Sequence, residues 1–284
     1  MNLKEVRDRI ASVKSTQKIT AAMKLVSAAK LRRAQTAIEG MSHYNDKLNS
    51  LLASFLASSN GYTTEFATKR DCKKVVILAV ASDTGLCGTF NSNVIGRMRA
   101  VLNSYRALNI DVEIYTVGKR MHDAVKKLGY TPREELMTQS SAPQYNDIAT
   151  VARELMGYFR SGAIDRVEVV YSHFKSAAMQ EPVNEVLLPV ELKVAEGTAL
   201  AVDYIVEPGR GELLNALVSK VVEVQLFTAL LNAVVAEHSA RVLAMQMATD
   251  NATDLIAELT LEYNKGRQQT ITNELLDIVS SSGR

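Results

Sequence analysis

From Leu3, steps of three and four along the chain give Leu3, Val6, Ile10, Val13, Gln17, Thr20, Lys24, Ser27, Leu31, Ala34, Ile38, Met41, Asn45, Leu48, Leu52 and Phe55. Eleven of these sixteen positions are apolar, which makes a heptad stripe along one helix face. The polar exceptions cluster at 17–27, where the apolar residues shift to a neighbouring face at Ile19, Ala22, Met23 and Val26. No proline precedes Pro132 and no glycine precedes Gly40, so nothing interrupts a helix over 1–56. The other end follows the same rule. After Pro208-Gly209-Arg210-Gly211 the seam runs Leu214, Leu217, Val221, Val224, Thr228, Leu231, Val235, His238, Val242, Met245, Thr249, Ala252, Ile256, Leu259 and Tyr263, twelve of fifteen apolar.

At 1.5 Å per residue, helices over 1–56 and 212–281 would be roughly 84 and roughly 105 Å long. Left alone, each would expose a continuous apolar stripe, so the two seams are expected to pair as an antiparallel coiled coil. That register brings residue 56 near 212, residue 23 near 245 and residue 3 near 265. The last roughly 17 residues then extend past the N-terminus as a lone helix. This tip holds Ile271, Leu275, Leu276, Ile278 and Val279 and is apolar around most of its circumference, which predicts an enclosing partner.

The middle, 70–207, changes period. Lys74–Ser82 is a continuous apolar run, as for a buried strand. Helical patterns at 92–108, 119–128 and 145–160 alternate with strand patterns at 111–117, 166–174 and 185–192. This predicts an α/β domain, Rossmann-like, with a mostly parallel sheet. Residues 57–69 are rich in Ser, Thr and Gly and read as a linker.

Charge sharpens the pairing. Net charge is only +2, but residues 1–38 carry nine Lys or Arg against two acids, while 212–284 carry nine acids against five bases. No apolar run approaches the roughly 20 residues needed to span a bilayer. The N-terminus superficially resembles a transit peptide, but its pattern continues unbroken past residue 50 and reads as structure. Cys72 and Cys87 flank the first strand and read as free thiols of a reducing compartment.

Chemistry is sparse. Ser82-Asp83-Thr84-Gly85-Leu86-Cys87-Gly88 lies where a nucleotide loop would sit, but it lacks the full glycine fingerprint and reads as a tight strand-to-helix turn. His43, His122, His173 and His238 have no second ligand at metal spacing, so no metal, catalytic or cofactor residue is expected; His238 reads as a polar seam residue. The basic first helix could meet nucleic-acid phosphates, but no aromatic platform or DNA-reading motif accompanies it. An acidic protein surface fits it better. A nucleotide-dependent α/β enzyme and a coiled-coil nucleic-acid binder remain the rival readings.

Three blocks carry a family resemblance: Gln17–Gln35 (QKITAAMKLVSAAKLRRAQ), Ser82–Val94 (SDTGLCGTFNSNV) and Glu237–Val279, which opens EHSARVLAMQMATDNATD. Their order and spacing resemble the gamma subunit of F-type ATP synthases over the whole chain. The resemblance implies a non-catalytic central rotor. Its helical pair would stand inside a ring of alpha and beta subunits, and its α/β foot would bind the epsilon subunit and rest on the membrane c-ring. It implies rotor–stator contacts at Met23, Arg241, Arg267, Gln268, Thr272 and Glu274, to which the bases Lys24, Lys30, Arg32 and Arg33 are added as partners for acidic loops. It further implies a peripheral place on the cytoplasmic face of a bacterial inner membrane, with no span of its own and no nucleic-acid partner. Thr84 departs from the usual basic residue and Gly266 from the usual alanine, and a softer joint is expected at Gly266. The cysteine insertion of chloroplast members is absent, which, with no presequence, favours a bacterial origin.

Overall fold

A computed structural model of the chain describes residues 3–58, 64–133, 142–191, 206–207 and 209–282. Residues 59–63 of the expected linker, Leu192 of the last expected strand, and the Val279 side chain lie outside the described set. The two end helices are α1 (Leu3–Ser58) and α5 (Arg210–Ser282). Between them come β1 (Lys74–Val80), α2 (Phe90–Ala107), β2 (Asp111–Val117), α3 (Lys119–Lys127), α4 (Tyr145–Arg160), β3 (Arg166–Phe174) and β4 (Gln180–Leu188). By contacts the chain divides into two units: Met1–Ala28 with Arg241–Arg284, and Ala29–Ala240. Helices α1 and α5 contribute to both.

In the unit 29–240 the strand order is β2-β1-β3-β4. β1 pairs in parallel with β2 and β3, while β3 and β4 run antiparallel. The sheet is therefore mostly parallel, with an antiparallel edge. Alternation along β1 sends Val75, Ile77 and Ala79 toward α2 and α3, where they join Val94, Met98, Met121 and Val125. Val76, Leu78 and Val80 face the opposite side, with Ile148, Leu155 and Phe159 of α4, Leu48 and Phe55 of α1, and Leu214, Val218 and Leu226 of α5. Gly118 makes the turn from β2 into α3 at φ +88; a Cβ there would stand 2.1 Å from the Ala81 carbonyl oxygen. Only glycine tolerates both the angle and the approach.

Three expectations need correction. The last strand begins at Gln180, earlier than 185, because it forms an antiparallel pair with β3 in which Gln180 meets Phe174. Its polar start and Pro182 suit an edge strand and hide it from a pattern search. The expected linker contains a 3-10 turn at Glu65–Ala67 whose Phe66 is buried in the core, so this part is anchored. Finally, α5 does contain an 18-residue window apolar enough to cross a membrane by composition; 67% of that window is buried within the protein. From Ala229 to Ala240 every residue of α5 is buried, which no one-sided stripe predicts. The reason is that the helix there is enclosed by neighbours on all sides.

Candidate functional site

In the unit formed by the two chain ends, α1 and α5 run antiparallel. Gln17 Nε2 donates to Thr253 Oγ1 at 2.7 Å, the hydroxyls of Thr20 and Thr249 lie 2.8 Å apart, and Gly266 sits against Leu3. The register agrees with the expected one to within about two residues. Every described seam position of α1 is buried or half-buried, including the polar ones. Thr20 and Ser27 are buried at 8% and 4% exposure, whereas Ile19, Leu25 and Val26 are exposed at 57%, 69% and 59%. This stretch is inside out: hydroxyls and an amide hold the pair together, and branched apolar side chains face outward. Met247 of α5 is exposed at 58% in the same unit. An isolated protein in water gains nothing from such an arrangement.

The expected contact residues are distributed as follows. Met23 and Lys24 are half-buried, and the Met23 carbonyl accepts from Ser27 Oγ at 2.7 Å. Arg241 is only 7% exposed and is engaged within the chain. Arg267, Gln268, Thr272 and Glu274 are exposed, as are Ile271, Leu275, Leu276 and Ile278 beside them. Thr272 Oγ1 turns back to the Gln268 carbonyl at 2.9 Å. Helix α5 runs through Gly266 without a break. Lys30, Arg32 and Arg33 belong to the other unit and are exposed on α1.

Within the unit 29–240 the 82–88 turn is closed by its own polar groups. Ser82 N and Oγ donate to Asn91 Oδ1 at 3.1 and 3.0 Å, and Asn91 Nδ2 reaches Cys87 Sγ at 3.2 Å. Asp83 Oδ1 accepts from Lys119 N at 3.0 Å. Leu86 and Gly88 both take positive φ, at 63° and 58°. The buried face of the turn, Cys87 and Phe90, packs on Ala236 and Ala240 of α5, next to the buried Glu237, His238 and Ser239. Ser239 Oγ donates to the Ala177 carbonyl at 3.0 Å. The second and third resemblance blocks are thus one packing unit, and the turn has the geometry of a joint. Both cysteines are free, and the described residues hold no group of metal-ligating side chains.

Two buried polar clusters escaped the sequence reading. Glu168 of β3, at 2% exposure, accepts from the Tyr105 hydroxyl and from Asn184 Nδ2 and pairs with Arg166. Burial, then the hydrogen bond to Glu168, pushes the Tyr105 phenol well above its ordinary range. On α5, Glu223 is 9% exposed; its carboxylate accepts from Tyr145 Oη at 2.6 Å and pairs with Arg153 Nε at 3.0 Å and Lys220 Nζ at 3.4 Å. The available signal was an acid inside an apolar run, Val-Val-Glu223-Val, which demands buried partners.

A two-helix stalk with an inside-out stretch, in a chain whose remainder is an α/β sheet layer, defines a class of stalk-forming subunit. Residues 2–283 match the family model described as ATP synthase. The chain belongs to the ATP synthase gamma-chain family and is of bacterial type, a subunit of a membrane-associated complex. It is 46% identical over 294 residues to the ATP synthase gamma chain of Bacteroides thetaiotaomicron, covering 99% of each. To that of Flavobacterium johnsoniae it is 41% identical over 282 residues, covering 99% of this chain and 98% of the relative. Its fold is similar to a chain in the cryo-EM structure of the Euglena gracilis mitochondrial ATP synthase OSCP/F1/c-ring, with TM-score 0.66, 20% identity, and coverage of 98% and 93%.

Proposed function

We propose that the paired ends are the non-catalytic rotor shaft of an F-type ATP synthase, turning within a ring of alpha and beta subunits. The observation that carries this is the inside-out stretch, in which Thr20 and Ser27 are buried while Ile19, Leu25 and Val26 face outward. Such a stretch gains from an apolar collar that covers it, and a collar that grips by apolar contact rather than by fixed polar bonds lets it turn. The exposed tip residues Leu275, Leu276 and Ile278 ask for a sleeve of the same kind. Met23 and Lys24 serve as a contact with acidic loops of the ring, supported by Arg241, which is buried and engaged within the chain; Lys30, Arg32 and Arg33 of the other unit are further bases for such loops, and Arg267, Gln268, Thr272 and Glu274 serve as the upper contact. The remainder, 70–207, acts as the foot. It engages the epsilon subunit and the membrane c-ring on the cytoplasmic face of the inner membrane, so that ring rotation reaches the catalytic sites through the shaft.

Co-purification of the tagged chain from native membranes tests this. Alpha and beta subunits are expected in stoichiometric recovery, together with ATP hydrolysis that drives proton pumping in inverted vesicles. Recovery of the chain without them would remove the rotor reading.

A further inference from the structure

A shaft that transmits torque has to be fixed against rolling in its mount. Most of the mounting of α5 in the unit 29–240 is apolar: Val218, Val221, Val222, Leu226 and Leu230 sit in the core with the sheet and α4. Apolar burial is non-directional. It resists separation of two surfaces much more than sliding of one over the other. Hydrogen bonds and ion pairs weaken steeply with angle and distance, so these are the contacts that define a rotational position.

The Glu223 cluster has this character. Its carboxylate is bound from α4 by the Tyr145 hydroxyl and by Arg153, and from one turn earlier on its own helix by Lys220. Tyr145 is held on every side that matters. Its ring meets Phe227 of α5 edge-on at 5.4 Å between centroids, and Lys220 Nζ lies 4.6 Å from its centroid and also donates to its oxygen. Burial, followed by the hydrogen bond to Glu223, raises the Tyr145 phenol above its ordinary range; Tyr145 in turn raises Lys220. The far end of α4 is fastened separately, where Arg160 pairs with Glu65 at 2.6 Å and lies over the Phe66 ring. Helix α4 therefore spans from α5 to the turn that follows α1, with a directional polar link at each end.

The geometry points to Glu223 as a positioning residue that keys α5 to the α/β layer against rolling, with α4 as the strut that carries tangential load. This rests on the rotor reading above and extends it to the joint that reading requires.

The test uses the assembled complex in inverted membrane vesicles, comparing ATP-driven proton pumping with ATP hydrolysis, each with and without an opposing proton gradient. Glu223→Gln keeps the shape and removes the charge; Tyr145→Phe removes one hydroxyl. Under the opposing gradient, the pumping-to-hydrolysis ratio is expected to fall about threefold in Glu223→Gln and about twofold in Tyr145→Phe. Hydrolysis and subunit recovery should stay within twofold of the parent. Restoring a carboxylate in Glu223→Asp should recover most of the ratio. A purely structural role would lower recovery, hydrolysis and pumping together and leave the ratio unchanged; that result overturns the proposal. If Glu223→Gln does not assemble, Tyr145→Phe decides, and an unchanged loaded ratio in it is equally fatal. Failure of the rotor reading looks different: the unmodified chain would not recover with alpha and beta, or its vesicles would not pump.

Discussion

Gly266→Ala is a substitution whose sign follows from two opposing small terms. Gly266 lies inside α5, where replacing glycine by alanine removes a backbone-entropy cost of about 0.5–1 kcal/mol. Against this, the new Cβ would stand 3.1 Å from Leu3 Cδ2, with the next atom, Leu3 Cγ, at 4.0 Å. Comfortable carbon–carbon contact begins at about 3.5 Å, so the methyl must retreat by roughly 0.4 Å. It is the far end of a half-buried side chain near the start of α1. A χ rotation well under the ~30° that costs 0.5–1.5 kcal/mol is enough, which puts the strain at about 0.1–0.3 kcal/mol. The net effect is stabilising, by about 0.2–0.9 kcal/mol. Because the change is local, hydrogen exchange of the amides at 263–270 in the assembled complex is the sensitive measurement. Protection should rise by a factor of about 1.4 to 4, given that 1.4 kcal/mol is a factor of ten. Added to a Leu3→Ala background, Gly266→Ala should show a larger increment over Leu3→Ala alone, since the contact is then absent. Unchanged or reduced protection in Gly266→Ala, with no larger increment in the Leu3→Ala background, would refute the reasoning that a flexible methyl yields to a backbone gain.

Other outcomes follow from the same geometry. Gly118→Ala should cost upward of roughly 3 kcal/mol in urea unfolding, or prevent folding altogether, because the Cβ would meet the Ala81 carbonyl oxygen at 2.1 Å and φ is +88. Replacing Thr249 alone by valine should cost less than about 1 kcal/mol, since Thr20 Oγ1 already lies 3.0 Å from the Gln17 carbonyl and can turn to it. Tyr105 and Tyr171 are both raised above the ordinary 10.0, first by burial and then through Glu168 and Glu185. The folded chain therefore holds those protons more tightly than the unfolded chain. Stability should be level below pH 10 and fall as pH rises from there through the folded values, and Tyr105→Phe should flatten part of that fall in urea midpoints between about pH 10 and 12. Met23→Lys adds a charge next to the basic Lys24 at the proposed contact level. It should lower the ratio of pumping to hydrolysis without changing chain stability by more than about 0.5 kcal/mol, as for a partly exposed site.

The stalk was the most legible part of the chain because helix geometry alone sets its period. Gln17, Thr20 and Ser27 fall on the seam by spacing, and they lie there although their chemistry argues against it. The seam's polarity also told where the outward face turns apolar, since Ile19 and Val26 had to go somewhere. Leu25 and Met247 were not singled out, because exposure depends on which flank the partner helix covers. Strand β4 was read late because an edge strand needs no apolar alternation. The complete burial of 229–240 was hidden because a sequence gives one helix's faces but not how many neighbours surround it. Glu168 and Glu223 could have been flagged as acids in apolar runs, yet Tyr105, which binds Glu168, and Tyr145 and Arg153, which bind Glu223, lie 63, 78 and 70 residues away. The residues proposed to meet the ring are a different matter. Their work is done against other chains, so neither their spacing nor their own packing identifies them.

The apolar window of α5 has a consequence for synthesis. On emerging from the ribosome unfolded, this stretch of α5 is long and apolar enough to resemble a span by composition, as the core helix of a globular protein can be. Chain order protects it. The elements it packs against, α1 and the sheet layer, precede it in sequence, so the surfaces that cover it are synthesised before it. At translation rates of about 5–20 residues per second, the window is completed in about 1–4 seconds, while helix formation and docking onto a waiting surface take far less. A circular permutation that moved α5 to the front would keep the fold's contacts and lose this order, leaving an apolar segment waiting for its cover.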